Sequence, residues 1–353
     1  CRMAPALAPR GRSSHRAGEG QPARPAAYGA GMGLGTTPFV KGVTELSEGA
    51  YAWLAPDGSW GWSNAGLVTD GDESMIVDTL FDLALTREML AAMTAVAPLA
   101  TERVDALVNT HANGDHCHGN ELVPTDRIIA SVATAAEMDA LPPAALAAMM
   151  RVVAEDDTPL GRYLRHCFGA FTFDGIEHTP PTETFSGRLH LQVGDKAVEL
   201  IEVGPAHTRG DVLVHVPADD VMFTGDILFI EGTPIMWEGP VQNWIDACDL
   251  ITDLGVSTIV PGHGPITAGA GVVAVRDYWV MLRDEASARY DAGMSALDAA
   301  RDIDLGEYAD WGESERIFLN VNTLYREFGS GDVVDDVMSL FSEMGRLWLD
   351  QVS

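Results

Sequence analysis

Five separated apolar runs in this 353-residue chain each end in a turn that carries a histidine or an aspartate. They are Ile76-Val-Asp78-Thr, the segment Val108 to Asn120, Gly204-Pro-Ala-His207-Thr-Arg-Gly-Asp, Phe223-Thr-Gly-Asp226 and Val260-Pro-Gly-His263-Gly-Pro. Ionisable groups repeated at strand ends constrain the fold, because strands that share a sheet carry residues distant in sequence to one edge. From Val40 to about Ala268, short β-patterned runs punctuated by Gly and Asp alternate with helical stretches, the signature of mixed αβ layers.

Strands are expected at Ala50 to Leu54, Gly66 to Thr69, Ser74 to Asp78, Val104 to Asn109, Arg127 to Ala130, Leu189 to Val193, Ala197 to Val203, Val212 to Val216, Val221 to Thr224 and Ser257 to Val260. Leu83 to Ala95, Ala133 to Ala140 and Gln242 to Leu254 carry apolar residues at helical spacing and would cover the sheet faces. An Ala-, Leu- and Met-rich stretch from about Ala144 to Phe171 reads as a helical insertion able to roof a site. After Gly271 the pattern is all helical, and Ile317, Val321 and Leu324 mark one amphipathic helix that must bury against something. The expected organisation is a tail over residues 1–37, an αβ domain over 38–270 with the insertion at about 134–171, and a helical C-terminal extension over 271–353.

The tail is rich in Arg, Ala, Pro and Gly, lacks a sustained apolar stretch, and reads as disordered. It has no apolar core of the kind a secretory signal needs, so cytoplasmic residence is the expectation; a transit-type peptide, and whether residues 1–37 belong to the mature protein, stay open. Acidic residues number 52 against 22 Lys and Arg, a formal charge of −30. A surface so negative repels polyphosphates and anionic headgroups, so nucleic acid and membrane are poor partners and a small-molecule substrate is the better one. Four scattered cysteines give neither a disulfide framework nor a CxxC zinc module.

The segment Val-Asn-Thr-His111-Ala-Asn113-Gly-Asp115-His116-Cys-His118-Gly-Asn packs three imidazoles and a carboxylate into a strand-end turn. Such a turn can aim several ligands at one point. Taken alone, a solvated polar turn explains it as well.

The four other segments, in this order and at strand ends, give a chain that resembles the metallo-β-lactamase fold superfamily. That family's motifs are an Asp at a strand end, His-x-His-x-Asp-His, a later His, an Asp after Thr-Gly or Ser-Gly, and a final Gly-His. The resemblance spans about residues 40–268 and implies an αββα sandwich, an α/β fold with two adjacent metal sites. It implies that His111 and His207 hold a first ion, that Asp115, His116 and His263 hold a second, and that Asp226 bridges them. Asp78 is implied to orient a ligand from behind. Asn113 stands where the motif has its second His, and a neutral amide oxygen is a poorer donor to zinc. Two divalent ions are therefore expected, zinc foremost, with iron or manganese admitted by Asn113. His118, about 200° around a starting helix from His116, should face away from the metal and act behind the ligands. Cys117 reads as a small buried residue. His166, His190 and His215 read as structural, His178 as a surface-loop residue, and Arg209 as either a substrate contact or a surface ion pair.

The resemblance implies a metal-dependent hydrolase in which water activated between two cations attacks an ester, lactone, thioester or amide carbonyl, with Asp115 and Asp226 as its catalytic carboxylates. Asp226 makes the chain look more like thioesterases and lactonases than like true β-lactamases. A non-haem di-iron or iron-dependent oxidoreductase on the same fold is the second reading, and a metal-poor binding protein the third. The runs Trp60 to Asn64 and Phe229 to Trp237 are candidates for pocket walls or ordinary core. The C-terminal helices are candidates for a homo-oligomer contact.

Overall fold

A computed structural model describes residues 33–352. The first sheet has seven strands in sequential order: β1 (Gly42–Ser47), β2 (Ala50–Leu54), β3 (Ala65–Asp70), β4 (Glu73–Val77), β5 (Ala106–Val108), β6 (Ile128–Ser131) and β7 (Glu183–Phe185). Pairing is antiparallel from β1 to β4 and parallel from β4 to β7. The second sheet comprises β8 (Arg188–Val193), β9 (Lys196–Glu202), β10 (Val212–Val216), β11 (Val221–Phe223) and β12 (Thr258–Val260). It is antiparallel from β8 to β11, with β11 and β12 parallel.

Side-chain alternation along the strands builds four layers. Val68, Met75, Val77 and Val108 point inward and meet Leu200, Val214, Phe223 and Val260 of the second sheet. Their neighbours Leu67, Ile76 and Leu107 point outward, against Met89 and Met93 of α1 (Leu83–Val96). The short helix α2 (Pro98–Glu102) follows, and α3 (Gly114–Cys117) is the single turn that carries Asp115 and His116. On the other outer face, Leu213, Met222 and Ile259 pack with Trp244 and Cys248 of α7 (Val241–Leu254) and with Trp279 of α8 (Gly269–Asp291). The αββα sandwich is thus realised.

The insertion forms α4 (Val132–Ala140), α5 (Pro143–Val152) and α6 (Pro159–Phe168); the C-terminal extension adds α9 (Ala296–Asp302), α10 (Ile317–Glu327) and α11 (Val337–Val352). Tyr163, Leu164 and Phe168 of the insertion share one apolar core with Phe318, Val321, Phe341 and Met344 of the extension. Ile317, Val321 and Leu324 are buried there, the partner that the sequence left unnamed.

Two strands escaped the sequence reading, β1 and β7. They form the two edges of the first sheet, and their residues are mostly half-buried or exposed, so they lack the apolar alternation of a core strand. Residues 1–32 of the expected tail lie outside the described residues. Where the described residues begin, Leu34 N–H donates to Glu231 Oε1 at 2.8 Å and Thr36 N–H to the carbonyl of Ile266 at 2.8 Å. No helix among the described residues is long and apolar enough to cross a membrane.

Candidate metal centre

The strands set the site by where they stop. β4, β5, β9, β11 and β12 end just before Asp78, His111, His207, Asp226 and His263, so all five turns open on one rim of the sandwich. Two groups of three ligand atoms result, each within 4.8 Å of one another: His111, His207 and Asp226, and Asp115, His116 and His263. Asp226 links the groups, its Oδ2 lying 3.6 Å from His111 Nε2, 3.3 Å from His207 Nε2 and 3.5 Å from His263 Nε2. Its Oδ1 lies 3.1 Å from His116 Nε2. Asp115 Oδ2 lies 3.3 Å from His263 Nε2.

Each of the four imidazoles is anchored through Nδ1, leaving Nε2 to face the centre. His116 Nδ1–H donates to Asp78 Oδ2 at 3.0 Å, His207 Nδ1–H to the carbonyl of Ile235 at 2.6 Å, and His263 Nδ1–H to the carbonyl of Gly58 at 3.1 Å. His111 Nδ1–H donates to Thr110 Oγ1 at 3.0 Å, and that hydroxyl in turn donates to Asp78 Oδ2 at 2.7 Å. Asp78 therefore supports His116 directly and His111 through Thr110. Fixing the tautomer in this way raises the donor strength of the free nitrogen.

Nε2 of His111, Nε2 of His116 and Oδ1 of Asp226 are buried and make no hydrogen bond; the 3.1 Å approach of His116 to Asp226 lacks the alignment one needs. Buried polar atoms are seldom left so, and a cluster of them aimed at one another fits divalent cations with nitrogen and oxygen ligands. Charge agrees with geometry. Burial works against the charge of Asp226, yet the imidazoles of His263, His116 and His111 hold it well below the usual carboxylate range. Burial likewise opposes protonation of His263, but Asp226 and Asp115 raise it to about 9. A proton on His263 answers the same negative charge that a cation would, whereas burial keeps His111 and His207 below the ordinary imidazole range.

Asn113 precedes α3 and places its Nδ2 3.1 Å from His207 Nε2, beside the first group. His118 belongs to neither group: its ring lies against Phe81 and Phe173, 5.6 and 6.2 Å away between centroids, and burial pushes it down to about 4. Gly114 makes room for that ring, since a Cβ there would stand 2.4 Å from it. Cys117 is buried, and burial pushes its thiol far up. His178 pairs with Asp139 at 2.9 Å, His166 stacks on Trp348, and Arg209 is 63% exposed between Glu137 and Glu238.

Four supports were not legible as such in the sequence, although Asn64 and Ile235 lie in the two runs read as pocket wall or core. Asn64 donates to the carbonyls of Pro261 and Gly264 at 3.0 and 2.8 Å, clamping the turn of His263 from about 200 residues away. Gly58 and Ile235 act through backbone carbonyls, which no side chain advertises. Gly262 is required sterically, because a Cβ there would stand 1.9 Å from Asp226 Oδ1. Phe229 stacks on His263 with rings 4.9 Å apart and 1° from parallel, and Trp60 packs among Tyr163, Phe168, Trp237 and Phe341.

A fold of this kind, with two His/Asp triads on the rim of its sandwich, defines a metal-coordinating site typical of metallo-hydrolases. The chain belongs to the metallo-β-lactamase superfamily, whose family model matches residues 58–263, more than half of its length. It is similar to the 2,4-dinitroanisole O-demethylase subunit alpha of Nocardioides sp. (strain JS1661), 25% identical over 289 residues that cover 78% of this chain and 69% of that one. It is also similar to the Beta-lactamase-like protein 2 homolog of Caenorhabditis elegans, 22% identical over 204 residues, 58% of this chain and 56% of the other. Among solved structures, the inverting sec-alkylsulfatase Pisa1 from Pseudomonas sp. shares the fold with a TM-score of 0.63 at 14% identity, over 83% of this chain and 51% of that chain. The chain thus spans about half the length of the sulfatase.

Proposed function

We propose that the chain is a metal-dependent hydrolase of small molecules that cleaves an ester, lactone, thioester or amide at a pair of divalent ions. His111 and His207 would hold the first ion, Asp115, His116 and His263 the second, and Asp226 both. The observation that carries this reading is the inward set of buried, unpartnered Nε2 and carboxylate atoms, each imidazole tied behind by its Nδ1. Bound there, two such ions lower the pKa of a water between them and polarise a carbonyl. Asp115 is the most exposed of the six ligand residues, at 8%. That exposure supports a role in which its carboxylate would accept a hydrogen bond from the attacking water and so orient it. Asp226, almost wholly enclosed, keeps its charge at the centre.

Asn113 supplies an amide where the family motif has an imidazole, and the 3.1 Å contact of its Nδ2 with His207 Nε2 brings the side chain to the edge of the first group, where a turn of the amide would present its oxygen. An amide oxygen suits hard ions better than zinc, so the first site binds more weakly than the second or takes iron or manganese. The same amide favours an iron-dependent oxidoreductase as the second reading. The charge of −30 weighs against nucleic acid as substrate.

Metal analysis of protein purified without added metal, joined to a hydrolysis panel, tests the proposal. The panel includes 2,4-dinitroanisole and a secondary alkyl sulfate because two similar proteins are named for those compounds. Two zincs with hydrolysis lost in His263→Ala is the expected result. Hydrolysis unchanged in that variant overturns the proposal, and iron together with oxygen uptake selects the second reading.

A further inference from the structure

The segment Thr233 to Val241 runs between the turn of His207 and helix α10. On one side it serves the ligand. The carbonyl of Ile235 accepts from His207 Nδ1–H at 2.6 Å, the N–H of Trp237 donates to the His207 carbonyl at 3.0 Å, and the N–H of Gly239 donates to the Ala206 carbonyl at 2.8 Å. On the other side its backbone groups are paired off in order by one stripe of the C-terminal extension. Arg316 Nη1 donates to the Thr233 carbonyl at 2.8 Å and Asn320 Nδ2 to the Pro234 carbonyl at 2.8 Å. Asn320 Oδ1 accepts from Met236 N–H at 2.8 Å, Thr323 Oγ1 donates to the Met236 carbonyl at 2.9 Å, and Glu327 Oε1 accepts from Val241 N–H at 2.9 Å.

Residues 316, 320, 323 and 327 recur every three or four positions, so they lie on one face of the helix. Arg316, Asn320 and Thr323 are at most 2% exposed. Asn320 spends its whole amide here, since Nδ2 also donates to Tyr278 Oη at 3.2 Å. The residues flanking Ile235 are thus held by a single side chain, and Ile235 itself holds the Nδ1 of a ligand of the first group.

We infer that α10 is a positioning element for the first ion, with Asn320 fixing the His207 imidazole through the Pro234–Met236 backbone. The inference rests on the two-ion reading above. It makes the C-terminal extension part of the metal centre although no residue of the extension is a ligand. Partners behind a ligand commonly set metal affinity by 10- to 100-fold, and Asn320 acts one step further back.

Zinc alone is the probe, titrated into the chelator-stripped full chain against a competing indicator. Asn320→Leu keeps the branched shape and the number of heavy atoms and removes all three hydrogen bonds. Asn322→Leu is the control: Asn322 is equally buried on the same helix and makes two backbone bonds, but to Val334, away from the strap. His207→Ala identifies which zinc equivalent belongs to the first site. The expected result is about a tenfold weakening of that equivalent in Asn320→Leu, with the other equivalent unchanged and both unchanged in Asn322→Leu. Should Asn320→Leu fail to fold, Thr323→Val, which cuts only the bond to Met236, is expected to weaken the same equivalent to a lesser degree. Folded Asn320→Leu, or Thr323→Val in its place, with wild-type affinity at both equivalents overturns the inference alone. A wild-type chain that takes up neither zinc nor iron nor manganese removes the two-ion reading and the inference together.

Discussion

His116 Nδ1 and Asp78 Oδ2 lie 3.0 Å apart in a fully enclosed pair, and this contact decides which nitrogen of His116 faces the metal centre. Burial raises the Asp78 pKa in spite of the bonds it receives from His116 and Thr110. Asp78 also adopts a left-handed backbone, φ +62°, at the strand end, a conformation that Asn accepts readily. Asp78→Asn therefore keeps the turn and removes the charge behind two ligands. Zinc affinity is expected to drop 10- to 100-fold, read by competition titration. An unchanged affinity would mean that Asp78 serves the turn and not the ligands.

Gly262 faces the shared carboxylate so closely that any side chain displaces it. In Gly262→Ala the new methyl would overlap Asp226 Oδ1 and stand 2.7 Å from the carbonyl carbon of Gly225. Moving a reacting group by about 1 Å costs on the order of a hundredfold in rate. Hydrolysis is expected to fall by at least about that factor while far-ultraviolet circular dichroism keeps its αβ signature.

Asp211 gives a pH dependence whose sign follows from its surroundings. Burial raises its pKa to about 7, although the N–H and hydroxyl of Thr208 both donate to it. The folded value lies above the unfolded one of about 3.9, so the folded state holds this proton more tightly. Its stabilising contribution is complete below about pH 3.9 and is lost as pH rises through about 7. Asn mimics the protonated form. Urea unfolding across this window should show wild type losing stability relative to Asp211→Asn as pH rises, and parallel profiles would contradict a raised pKa.

Tyr163 and Glu315 join the insertion to the C-terminal extension, the phenol donating to Oε1 at 2.8 Å with both residues buried. Tyr163→Phe leaves a buried carboxylate one donor short. The expected cost is about 1–3 kcal/mol in a single cooperative denaturant transition. Two separated transitions would show instead that insertion and extension unfold independently.

Much of this was legible in one dimension. The alternation of Leu67 and Val68, or of Met75, Ile76 and Val77, marks strands with one face to each core, since side chains on a strand alternate between faces. Strand ends bearing His111, His116, His207, Asp226 and His263 pointed to a metal site through their resemblance to one family's ordered motifs, since the turn of His111 alone reads equally well as a solvated polar turn. β1 and β7 were silent because edge strands face solvent on one flank and need no apolar code.

The sequence by itself determined the layers and the order of the turns, which follow from local pattern, and supplied the His and Asp residues that meet at the rim. Asp78 was expected behind a ligand, but only the tertiary structure decided what stands behind the others: Gly58 behind His263, Ile235 behind His207, and Asn320 behind the segment that carries Ile235. Those contacts use backbone carbonyls and long-range approaches of up to 205 residues. A carbonyl is common to every residue and so leaves no mark in the sequence until folding brings it beside an imidazole.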